Sequence, residues 1–149
     1  MDIDNAPNRL RSLPSWLLGQ AAVEARRVVG DVLAREGLHR SQYALMASLE
    51  EFGPLSQTEL SDRSGLDRSD VVRWVDGLAE RGLVERTRDP GDRRRNVISI
   101  TRQGLHRLEE LDAQIGRAQQ DLLKSLSEEE RKQLILLLGR LLGLQRQTD

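Results

Sequence analysis

The sequence predicts a mainly α-helical protein with one small β-hairpin. Apolar residues recur at helical spacing over most of the chain, two capping boxes open helices, and two short β-branched segments flank a tight turn. With 149 residues, the chain is long enough to bury a core, and we expect one compact unit with extensions.

The first third of the chain is predicted to form two helices after a polar start. Residues 1–10 are polar and are expected to fray. A long helix is predicted from Leu13 to Glu36, with apolar residues on one face and Gly37 as its stop. Ser41 is then expected to cap a helix from Gln42 to Glu51, which ends before a Gly-Pro pair.

Two shorter helices are predicted next. The letters SQTE at residues 56–59 form a capping box, in which the serine side chain accepts from the glutamate amide and the glutamate side chain reaches back. The helix that this box opens is expected to end near Arg63, with Gly65 in the turn. Asp67 then caps a helix from Arg68 to Arg81.

A hairpin follows these helices. Leu83–Thr87 and Asn96–Ile100 are strand-like, and the letters DPGD at residues 89–92 between them are a strong turn signal. A helix, a tight turn, a second helix and a hairpin, in that order, make a winged helix-turn-helix in which the hairpin is the wing.

The C-terminal part is predicted to form two more helices. Thr101 caps a long one, and Ser127 begins a capping box that opens the last. The last helix contains the apolar run Leu134–Leu144, which holds Arg140 and is shorter than the about 20 residues that a membrane span needs. Apolar helices at both chain ends have no partner in a small winged-helix core, so we expect a homodimer.

Composition argues against several other classes of protein. The chain has no cysteine, which excludes disulfides and thiolate metal sites, and His39 and His106 lack the spacing of metal ligands. Phosphate-binding glycine loops and hydrolase motifs are absent from the sequence, so we expect no enzyme, no catalytic residues, no cofactor and no metal. The N-terminus lacks a signal-peptide layout, which favours a cytoplasmic protein without a membrane segment.

The charges are unevenly distributed. The formal net charge is -1, yet residues 86–102 hold six arginines against two acids. Such a local excess is typical of a nucleic-acid-binding surface. The 21 arginines against 2 lysines favour bidentate contacts, or reflect a GC-rich genome. Aromatic residues make up only 3%, which argues against a single-strand binder, so double-stranded DNA is the expected partner.

The helix predicted at 68–81 has two distinct faces. Its apolar stripe, which must pack inward, is formed by Val71, Val75 and Leu78. The other stripe is predicted to contact DNA through Arg68, Ser69, Val72 and Arg73. Because the major groove admits one helix, Arg73 can bind guanine O6 and N7, and Val72 can meet a thymine methyl. Alone, this pattern also fits an ordinary surface helix with scattered charges.

The predicted wing strengthens the DNA interpretation. Arg93, Arg94 and Arg95 lie at the hairpin tip, where arginine can enter a minor groove. A run of charged residues usually lies in a solvated loop, but such a run on a hairpin directly after a helix-turn-helix favours DNA binding. We therefore predict a DNA-binding transcriptional regulator.

Two stretches resemble the MarR family (multiple antibiotic resistance regulators). DPGDRRRNVISITRQG at residues 89–104 matches the wing pattern D-P-x-D-R-R, an apolar strand and T-x-x-G. LDRSDVVRWVDGLAERGLVER at residues 66–86 is similar to the family's recognition helix and first wing strand. The resemblance covers about residues 12–146.

The resemblance implies a homodimer whose first and last helices interleave, bound to a pseudo-palindromic operator, usually as a repressor. It also implies that Asp67 can pair with Arg94 as a wing anchor, although a cap-only role for Asp67 fits equally well. Many members release DNA when a small anionic or phenolic ligand binds between the two regions. The residues suggested for such an effector pocket, or alternatively for ordinary core positions, are Trp16, His39, Tyr43 and Met46.

These inferences divide the chain into three parts. We expect an N-terminal segment and dimerisation helix at 1–38, a winged helix-turn-helix DNA-binding domain at 39–104, and C-terminal dimerisation helices at 105–149. The expected function is a homodimeric repressor that a small-molecule effector releases. The alternatives are a winged-helix protein-interaction module and a transcriptional activator without a ligand response.

Overall fold

The computed structural model describes residues 3–144 and confirms a mainly α fold with a hairpin wing. A 3-10 turn at Ile3–Asn5 precedes the first helix. The elements in chain order are α1 (Asn8–Arg11), α2 (Pro14–Arg35), α3 (Arg40–Phe52), β1 (Leu55–Ser56), α4 (Gln57–Ser64), α5 (Arg68–Glu80), β2 (Val84–Arg88), β3 (Asn96–Ile100), α6 (Arg102–Leu122) and α7 (Glu128–Leu141). Residues 1, 2 and 145–149 of the predicted end segments lie outside the described residues.

The N-terminal third differs from the prediction in two places. Part of the segment expected to fray forms the 3-10 turn and α1. The cap of α3 is His39 rather than Ser41, because His39 Nδ1 accepts from the Ser41 amide at 3.2 Å. Gln42 completes this capping box, since its Oε1 accepts from the His39 amide at 3.0 Å.

The sheet has three antiparallel strands in the order β1-β3-β2. The predicted hairpin is present, with Val84 opposite Ile100 and Arg88 opposite Asn96. The short strand β1 was not predicted, and it pairs Leu55 with Ile98 on the other side of β3. Through β1, the wing is joined directly to the start of α4.

The helix-turn-helix is formed as predicted. Ser56 and Glu59 make the capping box of α4, with the Ser56 amide donating to the Glu59 carboxylate at 2.8 Å. Gly65 ends α4 at φ 72, a left-handed conformation that favours glycine and turns the chain towards α5. Asp67 caps α5 by accepting from the Asp70 amide at 2.9 Å.

The core lies between the helix-turn-helix, the sheet and the facing sides of α2, α3 and α6. Its fully buried side chains are Leu33, Leu45, Met46, Leu49, Leu60, Val71, Val75, Leu78, Leu83, Ile98 and Leu111. In contrast, α7 has no buried residue.

The wing runs into α6 through one residue, Thr101. Its amide donates to the Leu83 carbonyl at 3.1 Å, and its side chain caps α6 by accepting from the Gly104 amide at 3.0 Å. A Cβ on Gly104 would collide with the Leu83 carbonyl oxygen, so α6 and β2 approach each other as closely as only glycine permits here. This contact explains the T-x-x-G pattern.

Candidate nucleic-acid interface

The recognition helix α5 is oriented by its apolar stripe. Val71, Val75 and Leu78 have no exposed surface, as the sequence predicts. Gln42, which is buried at the start of α3, donates to the Trp74 carbonyl at 3.5 Å. The opposite stripe faces outward, with the four predicted contact residues Arg68, Ser69, Val72 and Arg73 all exposed.

The N-terminal turn of α5 is organised by Asp67. Its carboxylate accepts from the Ser69 hydroxyl at 2.7 Å and from the Asp70 amide, and these two bonds lower the pKa of Asp67. Within residues 3–144, no ion pair joins Asp67 to Arg94. The structure therefore shows the helix cap, whereas the wing anchor stays a prediction.

Arg73 is held on both sides by neighbours in α5. Its Nη2 lies 3.2 Å from Asp70 Oδ1, and its guanidinium carbon lies 4.6 Å from the Trp74 ring centroid. Trp74 in turn stacks on His39, with ring centroids 4.3 Å apart and planes within 3°. These two contacts favour one orientation of the exposed Arg73 side chain, which would lower the entropy cost of any contact that it makes.

The wing tip is shaped by its two acids. Asp89 Oδ1 accepts from the Gly91 amide at 2.9 Å, and Asp92 Oδ1 accepts from the Arg94 amide at 3.0 Å. The hairpin closes with the Asp89 amide donating to the Arg95 carbonyl at 2.7 Å. These bonds explain the two aspartates of the D-P-x-D pattern, which hold the turn that exposes Arg93 and Arg94.

Arg95 is placed differently from its two neighbours at the tip. Its Nη2 donates to Ser56 Oγ at 2.8 Å and to Glu59 Oε1 at 2.9 Å. The bond from the Ser56 amide, together with the nearby Arg95 charge, lowers the pKa of Glu59. Arg95 thus fastens the wing to the capping box of α4, a role that the sequence prediction of a DNA contact did not include.

A second ion pair joins the wing to α5. Arg86 in β2 donates to Asp76, an acid on the outward stripe of the recognition helix. The negative charge of Asp76 is therefore balanced within the protein, which reduces its repulsion of phosphate. Sequence reasoning did not identify this pair, because the two residues lie on separate elements.

Several arginines of this surface have no acidic partner among the described residues. Arg93 and Arg94 are exposed at the wing tip, and Arg68 is exposed at the start of α5. Arg88, at the end of β2, is also exposed and unpaired in the described part of the chain, and it was missing from the predicted contacts. The excess of arginines over acids in residues 86–102 was the sequence feature that could have pointed to Arg88.

The four residues suggested for an effector pocket differ in their surroundings. Met46 is fully buried in the core, and His39 stacks on Trp74. The Tyr43 hydroxyl donates to Asp112 Oδ1 at 2.6 Å, and burial together with this bond raises the pKa of Tyr43 to about 12. Trp16 is half-buried on α2. None of the four lines the groove between α2 and α6 or the one beside β1 and α4.

Metal-binding clusters and bilayer-spanning helices are absent from residues 3–144. This range holds no group of three or more His, Cys, Asp or Glu side chains placed to bind a metal ion. No helix within it combines the length and the hydrophobicity that a bilayer-spanning segment requires.

Comparison with known proteins identifies the family. A model of the MarR family matches residues 38–95, which hold α3, the helix-turn-helix and most of the wing. A candidate transcriptional regulatory protein for the hcr operon of Thauera aromatica is 34% identical over 116 residues, or 78% of this chain and 70% of that protein.

Solved structures agree with this match. The PcaV transcriptional regulator of Streptomyces coelicolor, in complex with its natural ligand, has a TM-score of 0.76 and 29% identity, covering 93% of this chain and 97% of that one. A mutant E. coli MarR complexed with operator DNA has a TM-score of 0.76 and 23% identity, covering 92% and 99%, and shows the same fold. The chain belongs to the MarR family of DNA-binding transcriptional regulators.

Proposed function

We propose that this protein is a homodimeric repressor in which each protomer reads one half of a pseudo-palindromic operator. The recognition helix α5 enters the major groove with Arg68, Ser69, Val72 and Arg73, and the wing places Arg93 and Arg94 at the minor groove. The observation that carries the proposal is which acidic and arginine side chains on this surface are paired and which are not. Asp70, Asp76 and Glu59 are paired with arginines, and Asp89 and Asp92 accept from backbone amides. In contrast, no acidic partner in the described chain is found for Arg68, Arg88, Arg93 and Arg94.

The position of Arg95 refines this proposal. Because its guanidinium is already shared between Ser56 and Glu59, we assign it to positioning the wing rather than to a direct phosphate contact. Arg88 replaces Arg95 among the proposed DNA contacts. The E. coli protein of the same fold was solved with operator DNA, which supports DNA binding as the function of this fold here.

The dimer is proposed from two apolar surfaces. On α7 and after it, Ile135, Leu137, Leu141, Leu142 and Leu144 are between 58% and 74% exposed. On α2 and before it, Leu13, Leu17 and Val23 are between 43% and 61% exposed. Exposed apolar areas of this extent favour association, and two-fold symmetry would match a palindromic site.

The three-part division and the effector response remain proposals. The parts at 1–38, 39–104 and 105–149 assign dimerisation to the end helices and DNA binding to the middle. The solved PcaV relative was in complex with its natural ligand, which supports an effector for this chain as well. We propose that the effector binds beside Tyr43, where the Tyr43–Asp112 bond joins α3 to α6.

Fluorescence anisotropy with duplex DNA from the gene's own upstream region tests the function. We expect tight, salt-sensitive binding that exceeds binding to a scrambled duplex. Arg94→Ala should weaken it by about 1–3 kcal/mol, the magnitude of a lost groove contact. Arg26→Ala is the matched control, because Arg26 is an exposed arginine on α2, away from the wing and α5.

Two results would contradict the proposal. Unchanged affinity of Arg94→Ala at matched salt would remove the wing from DNA binding. Equal weak binding to every duplex tested, with no effect of salt, would instead favour a winged helix that serves as a protein-interaction module.

A further inference from the structure

The imidazole of His39 makes two contacts, one to its own helix and one to the recognition helix. It caps α3, because its Nδ1 accepts from the Ser41 amide at 3.2 Å. Its ring also stacks on Trp74 of α5, with the ring centroids 4.3 Å apart and the planes within 3°. One histidine thus joins the start of α3 to the middle of the helix that is proposed to read the bases.

The capping box of α3 touches Trp74 a second time. Gln42, which completes the box and is buried, donates from its side chain to the Trp74 carbonyl at 3.5 Å. A Cβ on Gly77, in the next turn of α5, would lie 2.9 Å from the same Gln42 nitrogen, so the two helices are closely packed here. A displaced cap would therefore act on α5 through both the ring and the backbone of Trp74.

Trp74 also contacts Arg73, one of the residues proposed to contact bases. The guanidinium carbon of Arg73 lies over the Trp74 ring, 4.6 Å from its centroid. A cation in this position is attracted by the electrons of the aromatic face. Since Trp74 touches both His39 and Arg73, a change at the histidine can reach the arginine through a single side chain.

Only the neutral form of His39 fits this arrangement. An Nδ1 that accepts from an amide is unprotonated, so a proton at this atom would remove the cap. It would also place a positive charge at the N-terminus of α3, where the helix dipole disfavours it, and over the same ring as Arg73. Histidine side chains change charge between about pH 5 and about pH 8. The arrangement is therefore complete at the upper end of this range and is lost as the pH falls through it.

His39 has no carboxylate partner among the described residues to balance a proton. Arg40 is exposed directly after it, and Arg81 donates to the carbonyl two residues before it. Among the acids of the adjoining helices, Glu36 is held by side chains of α6, and Asp70 is paired with an arginine of α5. None of the ion pairs within residues 3–144 involves His39. A proton on the imidazole would therefore add positive charge where arginines already lie.

We propose that His39 is a positioning residue for base recognition: its neutral ring holds Trp74 and, through Trp74, the side chain of Arg73, and its protonation releases Arg73 and weakens the discrimination between DNA sequences. This direction is opposite to that of general electrostatics, because a protonated histidine makes the protein more positive and strengthens its non-specific attraction to DNA. The inference deepens the proposed function and rests on it.

Fluorescence anisotropy at matched salt, at about pH 8 and about pH 5.5, tests the effect on recognition. We expect the ratio of the affinities for the upstream duplex and the scrambled duplex to fall by at least about three-fold at the lower pH. Arg73→Ala should lower this ratio at both pH values and remove its pH dependence. A ratio that does not fall in the parent, or that falls as much in Arg73→Ala, would overturn the proposal.

Two substitutions of His39 separate the stack from the cap. His39→Phe keeps a ring for Trp74 but cannot titrate, so it should keep the parent's ratio at both pH values despite a lower melting temperature. His39→Asn keeps a good helix cap without a ring and should lower the ratio at both pH values. Thermal melting verifies that each variant is folded.

The other histidine of the chain provides a matched control. His106 lies on α6 beside Glu110, and His106→Gln should keep the parent's pH profile. Loss of the pH dependence in His106→Gln would assign the effect to the wrong histidine. A His39→Asn protein with the parent's ratio at about pH 8 would show that the ring does not position Arg73. Either result rejects the proposal.

The emission of Trp74 tests the stack without DNA. In Trp16→Phe protein, Trp74 is the remaining tryptophan, and we expect its emission to change as the pH falls from about 8 to about 5.5 and the touching imidazole gains charge. Adding His39→Phe should abolish this change. Constant emission, or a change that persists with His39→Phe, would overturn the positioning role even where operator DNA is bound. Failure of operator binding would instead leave the emission change in place, so the two failures are distinguishable.

Discussion

At the scale of single residues, the arginines of the wing differ in what they contact. Arg95 reaches Ser56 and Glu59, whereas Arg93 has no acidic partner among the described residues. The sequence predicts an arginine-rich tip, because that depends on local order alone. It does not predict which arginine is paired, because Ser56 and Arg95 are 39 positions apart and meet only through the fold.

Arg95→Ala and Arg93→Ala should therefore behave differently. Arg95→Ala should lower the free energy of unfolding by no more than about 1 kcal/mol, since its ion pair is half-exposed, and should speed hydrogen exchange of wing amides. Arg93→Ala should leave stability unchanged and reduce the salt dependence of DNA binding by about one phosphate contact. Identical effects of the two substitutions on exchange and on the salt slope would refute the different roles.

Gly104 offers a second test at this scale. Gly104→Ala should destabilise the fold by about 1–3 kcal/mol, because the new methyl group would overlap the Leu83 carbonyl. Gly116→Ala in the same helix meets nothing within 4 Å and should stabilise it by roughly 0.5–1 kcal/mol. Urea unfolding of both variants measures this. A neutral Gly104→Ala would show that α6 can shift away from β2.

At the scale of elements, the starts of helices were predicted well where the capping residues lie close together in the sequence. The boxes at Ser56 and Ser127 depend on residues three apart, so the sequence displays them directly. The strand β1 was missed because two residues carry no strand pattern, and its hydrogen bonds depend on β3 about 40 positions later. The cap at His39 was missed because histidine is an uncommon cap, and the nearby Ser41 fits the usual preference.

Capping also predicts how stability depends on pH. The pKa of Glu59 is lowered from 4.5 by the Ser56 amide and by Arg95, so the charged form stabilises the folded state. This contribution is fully present above the unfolded value of 4.5 and is lost as the pH falls through the lower folded value. The Asp67 and Glu130 carboxylates, with pKa values lowered by Ser69 and Ser127 respectively, act in the same direction.

Glu59→Gln should therefore unfold with less pH dependence than the parent between about pH 6 and about pH 3, since glutamine keeps the capping bond without titrating. Chemical denaturation across this range measures the effect. Glu51→Gln, whose carboxylate caps no helix in the described chain, serves as the control and should keep the parent slope. An unchanged slope in Glu59→Gln would show that this cap does not contribute to acid sensitivity.

At the scale of the whole molecule, the apolar ends predict the assembly. Truncation after Leu126 removes α7, and we expect monomers or aggregates in sedimentation velocity, because the apolar residues of α2 that we propose as its partner surface would be left uncovered. Leu137→Asp should act in the same direction, whereas Lys132→Asp on the same helix should leave the assembly intact. A well-behaved dimer from the truncated chain would place the interface elsewhere.

The direct passage from β3 into α6 has a mechanical consequence. Since Thr101 alone separates β3 from α6, and Gly104 packs directly against the Leu83 carbonyl, we expect a tilt of α6 to displace the wing. A helix of 21 residues is about 30 Å long. If α6 tilts by about 5° around its C-terminal end, its N-terminal end beside the wing is displaced by roughly 3 Å. In the proposed dimer, a small angular adjustment where the two protomers meet would thus become a larger change in the separation between the two wings, and the stiffness of α6 would set how much variation in half-site spacing the protein tolerates.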